Sequence, residues 1–220
     1  MAHKRQGYRF ENDWMLGDFE ESTIKEAVTV PVNVKIEAEH VVLNLENASK
    51  ILSNARTISV LDCYCRVKYG HCHAPVDVCI DLNETAERNI RNGVAREIDL
   101  DEALDVLRKA HEAGLVPLAL SQGEFYEPGV INSICSCCSC CCTLLSRIVR
   151  FGLASHILTS QTTSVTDASV CNGCGVCVDR CQFGARQMID GSLSFDPDLC
   201  FGCGLCVSTC PTNAINLVDK

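Results

Sequence analysis

Long hydrophobic runs are missing from this chain. No stretch approaches the roughly 18 to 20 apolar residues that span a bilayer, and segments such as residues 115–120 are far shorter. No transmembrane segment is expected. The opening MAHKRQGYRFENDWMLGDF puts charged and polar residues where an export signal needs a continuous apolar stretch, so a secreted disulfide scaffold is not expected either and the chain reads as cytoplasmic. Clustered positive charge is also lacking: 19 Lys and Arg face 28 Asp and Glu, a formal charge of −9. That balance speaks against nucleic acid and suits a redox partner with a basic docking patch. No GxGxxG, Walker loop, HExxH or GxSxG motif occurs, so nucleotide, flavin and hydrolytic chemistry have no support. Aromatic residues are few, at 5%.

What is abundant is sulfur, with 18 cysteines in 220 residues. In a reducing compartment, dense cysteines at fixed spacings are more often metal ligands than disulfides, and thiolates suit zinc or iron–sulfur centres. A hydrophobic content of 47% is enough for a buried core, so a folded protein is expected. Residues 1–25 show no period and read as an arm. Residues 28–36 (VTVPVNVKI) are β-branched and predict a strand, with Pro31 placing it at a sheet edge or a strand start. Leu45, Ala48, Ile51, Leu52 and Ala55 recur at helical spacing, capped by Asn44 or Asn47, and predict a helix over 44–55. A strand over 58–61 should lead into a cysteine-bearing loop, 63–79, followed by a helix over 79–92 that Gly93 closes. Asp99 and Glu102 form the frame of a capping box for a helix over 100–113, with Leu104, Leu107 and Ala110 or His111 on its apolar face and Gly114 as its stop. Residues 115–120 read as a strand and 144–153 as helix-like. The Ser- and Thr-rich segment 155–168 marks a boundary, giving a Cys-rich α/β domain over 1–162 and a smaller one over 163–220.

The smaller domain contains a repeat. CNGCGVCVDRC begins at Cys171 and CFGCGLCVSTCP at Cys200, two copies of C-x2-C-x2-C-x3-C. Gaps of two residues let one tight loop turn three thiolates around a compact core, and Gly173, Gly175, Gly202 and Gly204 allow close backbone approach. Zinc knuckles need only paired CxxC units, so the third and fourth cysteines, in duplicate, favour 4Fe-4S clusters over zinc. The repeat resembles bacterial-type ferredoxins with two 4Fe-4S clusters, over about a quarter of the chain. In that family the fourth cysteine of each run ligates the other cluster. The resemblance thus implies one cluster on Cys171, Cys174, Cys177 and Cys210 and another on Cys200, Cys203, Cys206 and Cys181. It also implies two β-hairpins and two short helices, making the whole protein α+β. One departure is Gln182, where the family pattern has the proline that follows Cys210 as Pro211.

Ten further cysteines are candidate metal ligands: Cys63, Cys65, Cys72 and Cys79, and then Cys135, Cys137, Cys138, Cys140, Cys141 and Cys142. Some of them, Cys79 above all, also fit as small buried hydrophobes, but six thiols in eight residues would be an oxidation hazard unless held by metal. The two groups are expected to converge on at least one more centre, iron–sulfur or zinc. CxCR, CxxP and CxCCxCCC together resemble dicluster 4Fe-4S proteins from anaerobes; the crowding is similar also to CCG-containing heterodisulfide reductase subunits, although no CCG occurs. His71 and His73 read as loop residues or as ligands. Arg66 reads either as a cation offsetting the charge of a thiolate-held cluster or as a surface ion-pair partner. Three function classes follow: an electron carrier or oxidoreductase subunit serving an oxidoreductase or flavoprotein, an enzyme reducing a disulfide or other small molecule at the upstream thiols, and a redox or metal sensor. A homo-oligomer is compatible with all three.

Overall fold

A computed structural model describes residues 40–121 and 130–220; the strand expected over 28–36 and the arm before it lie outside them. The chain is a mixed α and β structure. Its centre is a seven-stranded sheet of β1 (His40–Val42), β2 (Ile58–Leu61), β3 (Cys79–Leu82), β4 (Arg96–Ile98), β5 (Val116–Leu120), β6 (Ser133–Cys137) and β7 (Leu158–Thr159), in the order β4-β2-β3-β6-β5-β1-β7. Every neighbouring pair is antiparallel except β1 with β7. The helices are α1 (Leu45–Ser53), α2 (Tyr64–Tyr69), α3 (Asn83–Arg91), α4 (Leu100–Glu112), α5 (Thr143–Arg150) and α6 (Ala154–Ile157).

Side chains on β5 alternate between two cores. Val116, Leu118 and Leu120 enter one, with Leu145, Ile148 and Leu158, while Ala119 enters the other with Leu52, Ile80, Leu107 and Ile134. Both faces of β5 are therefore covered, which is why 115–120 reads as an unbroken apolar run rather than an alternating one. The caps of α1 and α4 fall where side-chain chemistry puts them: Asn44 accepts from the Asn47 N–H at 2.8 Å and Asp99 from the Glu102 N–H at 2.8 Å. The capping box at α4 is not reciprocal, because Arg96 takes the Glu102 carboxylate in a two-pronged ion pair at 3.0 and 2.5 Å.

The helix expected over 79–92 starts four residues late. Cys79–Leu82 is instead the strand β3, paired with β2 on one side and β6 on the other. Two flanking strands satisfy its backbone groups, so tertiary pairing overrides a local sequence that suits either state. Within 63–79, expected as loop, the segment 64–69 forms the short helix α2, ended by Gly70 at φ 61°.

The C-terminal segment adds β8 (Thr162–Thr166), α7 (Val176–Arg180), β9 (Arg186–Ile189), β10 (Ser192–Phe195) and β11 (Ile215–Asp219). It forms two two-stranded antiparallel sheets, the hairpin β9–β10 and the pair β8–β11, which joins the first and last strands. Opposite α7 in the repeat, residues 205–209 form a hydrogen-bonded turn. Phe183, Phe201 and Leu205 pack into the same core as β5 and α5. Arg180 caps α4, its guanidinium donating to the carbonyls of His111 at 2.6 Å and Glu112 at 2.9 Å, where the helix end favours a cation.

His111 is enclosed at this junction. Its Nε2 meets Ser208 Oγ at 2.7 Å, its Nδ1 has no partner, and burial beside Arg180 lowers its pKa to about 4. The unfolded chain, with a histidine near 6.5, binds the proton more readily, so stability should fall as pH drops from about 6.5 toward 4. The expected loss is about 1–2 kcal/mol by pH 5. Chemical denaturation of wild type and His111→Gln at pH 7 and 5 tests this: the variant should lose less over the interval, and an equal loss in both would exclude His111 as the source.

Candidate iron–sulfur and metal centres

The C-terminal segment has two cavities, each ringed by four cysteines. One is lined by Cys171, Cys174, Cys177 and Cys210. The other is lined by Cys181, Cys200, Cys203 and Cys206. Each draws three thiols from one copy of the repeat and one from the other. Donors face the sulfurs as well: Ser164 N–H and Oγ lie 3.4 and 3.3 Å from Cys200 Sγ, and Ala214 N–H lies 3.3 Å from Cys210 Sγ. Against the effect of burial, hydrogen bonds hold both thiols below the ordinary thiol range, from Ser164 and Thr163 at Cys200 and from Thr212 and Ala214 at Cys210. The backbone at Gly202 takes φ 54°, and a Cβ there would press into the Thr162 carbonyl, so only glycine fits the turn between Cys200 and Cys203.

The two cavities differ in exposure. Cys174 in the first is exposed, whereas Cys181 and Cys203 in the second pack against the core that contains Val116 and Leu145. Between them lies Arg186, 2% exposed, which donates to Thr166 Oγ1 at 2.7 Å and Ser164 Oγ at 2.8 Å. Its charge favours the thiolates of Cys177 on one side and Cys206 on the other, although burial of those two thiols outweighs it. The sequence reading passed over this residue. The repeat carries a signal for it, since the position five after Cys181 holds Arg186 and the position five after Cys210 holds the buried Ile215.

The ten upstream cysteines converge, but in two groups. Cys72, Cys138, Cys140 and Cys141 have Sγ atoms all within 4.8 Å of one another, with Cys72 3.6 Å from Cys141 and 3.9 Å from Cys138. The other six form a closed ring of neighbouring thiols: Cys63 meets Cys65, Cys65 meets Cys142, Cys142 meets Cys137 at 3.2 Å, Cys137 meets Cys135, Cys135 meets Cys79, and Cys79 returns to Cys63. Strand alternation explains the division. Cys135 and Cys137 are two apart on β6 and share a face, and Cys138 lies just past the strand end. Cys142 caps α5, its sulfur accepting from the Leu145 N–H at 3.4 Å.

Six crowded thiols share their protons. Hydrogen bonds from Cys142 and Cys63 hold Cys65 well below the ordinary thiol range, and bonds from Cys137 and Cys79 hold Cys135 at about 6. Cys63 and Cys137, as donors to these thiolates, are pushed up. The two low members face each other across the ring, an arrangement that separates like charge. Metal binding must displace the remaining protons, so loading weakens as pH falls.

Arg66 lies between the groups and is 3% exposed, so it is not a surface ion-pair partner. One guanidinium nitrogen donates to the Ser136 carbonyl at 2.6 Å, and Nε and Nη1 have no oxygen or nitrogen partner. Burial opposes its charge, while Cys63, Cys138, Cys79 and Cys72 favour it, drawing two thiols from each group. His71 and His73 lie in the loop that carries Cys72. The group of close ligand atoms around Cys72 contains neither histidine.

Gln182 connects the systems. Its Oε1 accepts from the Ser139 N–H at 3.1 Å and Oγ at 2.7 Å, and its Nε2 donates to the Gly114 carbonyl at 2.9 Å. Cys181 is thus one residue from a side chain bonded to Ser139, which stands between Cys138 and Cys140. A family model for the 4Fe-4S binding domain matches residues 164–187 and again residues 193–216. This match supports 4Fe-4S cluster binding by the C-terminal segment and an iron–sulfur electron-transfer role. No curated protein matches the chain. Among the described residues, no helix is long and apolar enough to cross a membrane.

Proposed function

We propose that this protein is an electron carrier or an electron-transfer subunit, with two 4Fe-4S clusters in a C-terminal domain over 163–220 and a further iron–sulfur centre in the Cys-rich domain over 1–162. The observation that carries it is the pair of four-cysteine cavities, each completed by a thiol from the opposite half of the repeat. Cys171, Cys174, Cys177 and Cys210 would hold one cluster, and Cys200, Cys203, Cys206 and Cys181 the other. A 4Fe-4S cluster supplies a one-electron couple whose potential follows charge, hydrogen bonds to sulfur and solvent exposure.

The chain's own groups give this arrangement a direction. Cys174, exposed, marks the side open to a redox partner, an oxidoreductase or a flavoprotein. Cys181 and Cys203 face inward, and the Gln182–Ser139 bond lies between them and the upstream thiols. Arg186 stabilises added negative charge at both cavities. The wider resemblance is to dicluster 4Fe-4S proteins of anaerobes, and a cytoplasmic setting fits the free thiols.

Anaerobically purified protein should contain about 8 Fe and matching sulfide from these two clusters, with any excess due to the upstream centre. Cys210→Ser should damage the centre held by Cys171, Cys174 and Cys177, read as loss of one of two reduced-state EPR signals. Loss confined to the centre on Cys200, Cys203 and Cys206 would refute the crossed ligation.

A further inference from the structure

The upstream thiols do not form one uniform cluster. They divide into a tight quartet and a larger ring, and the two shapes suit different chemistry. A zinc ion bound by four thiolates at about 2.3 Å sets neighbouring sulfurs about 3.8 Å apart, by tetrahedral geometry. In the quartet, Cys72 to Cys141 is 3.6 Å, Cys140 to Cys141 is 3.8 Å and Cys72 to Cys138 is 3.9 Å. The spacing leaves room for one ion at the centre and for no cage of several metals. Among the described residues, this is the group of candidate ligands whose ligand atoms all lie within 4.8 Å of one another. The ring falls outside that limit, as does each quartet around the two C-terminal cavities.

Cys138, Cys140 and Cys141 are buried and Cys72, from the loop after α2, is half-buried, so protein surrounds most of the quartet. Closed four-sulfur sites are the structural type. The quartet also ties that loop to the segment after β6, and it packs into the core with Val60, Ile80 and Leu107.

We propose that Cys72, Cys138, Cys140 and Cys141 hold a single tetrahedral zinc ion, separate from Cys63, Cys65, Cys79, Cys135, Cys137 and Cys142, which form the site of the upstream iron–sulfur centre. The assignment of the ring rests on the electron-transfer reading; that of the quartet does not. In loading, Zn2+ forms four zinc–sulfur bonds, each thiol releases its proton, and the site gains a net charge of −2 beside the Arg66 guanidinium. No electron is transferred. The ion therefore fixes the loop that carries Cys72 without entering the redox chemistry, and the ring is left as the upstream redox site.

The test uses the full chain, produced anaerobically with both iron and zinc supplied. Metal analysis should find about one zinc per chain, and zinc-edge X-ray absorption should show four sulfurs at about 2.3 Å. Nitrogen or oxygen ligands, or a wild-type protein without zinc, would overturn the proposal. Cys141→Ser should lower zinc at least tenfold and leave iron within a tenth of wild type. Cys137→Ser should do the reverse, retaining zinc and losing the iron in excess of the two C-terminal clusters. If both variants lose the same upstream iron, the ten cysteines form one centre and the division is wrong. The X-ray absorption measurement needs no variant, so a misfolded mutant does not decide the matter. Failure of the electron-transfer reading has its own signature, iron well below about 8 per chain with the zinc count unchanged.

Discussion

Arg66→Leu should have opposite effects in the metal-loaded and metal-free protein. In the loaded state, the thiolates on both sides are negative, and the guanidinium is the one cation buried among them in the described residues. Removing it leaves buried charge uncompensated and frees the Ser136 carbonyl, a loss of about 3–5 kcal/mol. In the metal-free state most of these thiols are protonated, and a buried cation with two unpartnered nitrogens is itself a burden, so leucine should be neutral or slightly stabilising. Thermal or urea unfolding of both states, with metal content, decides it. Upstream iron should fall sharply in the variant, while the signals of the two C-terminal clusters persist. A similar loss in both states would mean that Arg66 acts only through packing. Arg66→Lys should be intermediate, since it keeps the charge and loses the planar fork.

The sequence made some of this architecture legible and hid the rest for identifiable reasons. The helices at α1 and α4 could be read because Asn44 and Asp99 cap locally, and local chemistry decides where a helix starts. β2 and β5 could be read from short apolar runs between breakers. Cys79–Leu82 misled because its state is set by strands 21 and 54 positions away, β2 and β6, which no local window contains. The eight C-terminal cysteines stood out through a duplicated spacing, which is a property of the chain itself. The division of the other ten did not, because it depends on which face of β6 each thiol takes and on where that strand ends. Arg66 was noticed for its place after CxC, but its burial, which decides between a cluster counter-charge and a surface ion pair, is a tertiary fact.

Gln182 shows how the same limit bears on the repeat. Restoring the family proline by Gln182→Pro should destabilise the protein by about 2–4 kcal/mol, although it improves the motif. Proline cannot accept from Ser139 or donate to the Gly114 carbonyl, so three hydrogen bonds are lost and buried groups on both partners go unsatisfied, at about 1–3 kcal/mol each. The reciprocal change, Pro211→Gln, lies at an exposed turn away from that contact and should cost much less. Unfolding midpoints of the two variants make the comparison, and equal effects would show that the position matters only for the local turn. Gln182→Glu separates the two halves of the bridge, keeping an acceptor for Ser139 while losing the donor to Gly114. If the bridge aligns the Cys181 site with the loop carrying Cys138 and Cys140, Gln182→Pro should also slow electron exchange between the C-terminal clusters and the upstream centre at unchanged iron content. A motif departure in one half of a duplicated module then has a physical cause: the first copy faces the Cys-rich domain and must bond to it, and the second does not.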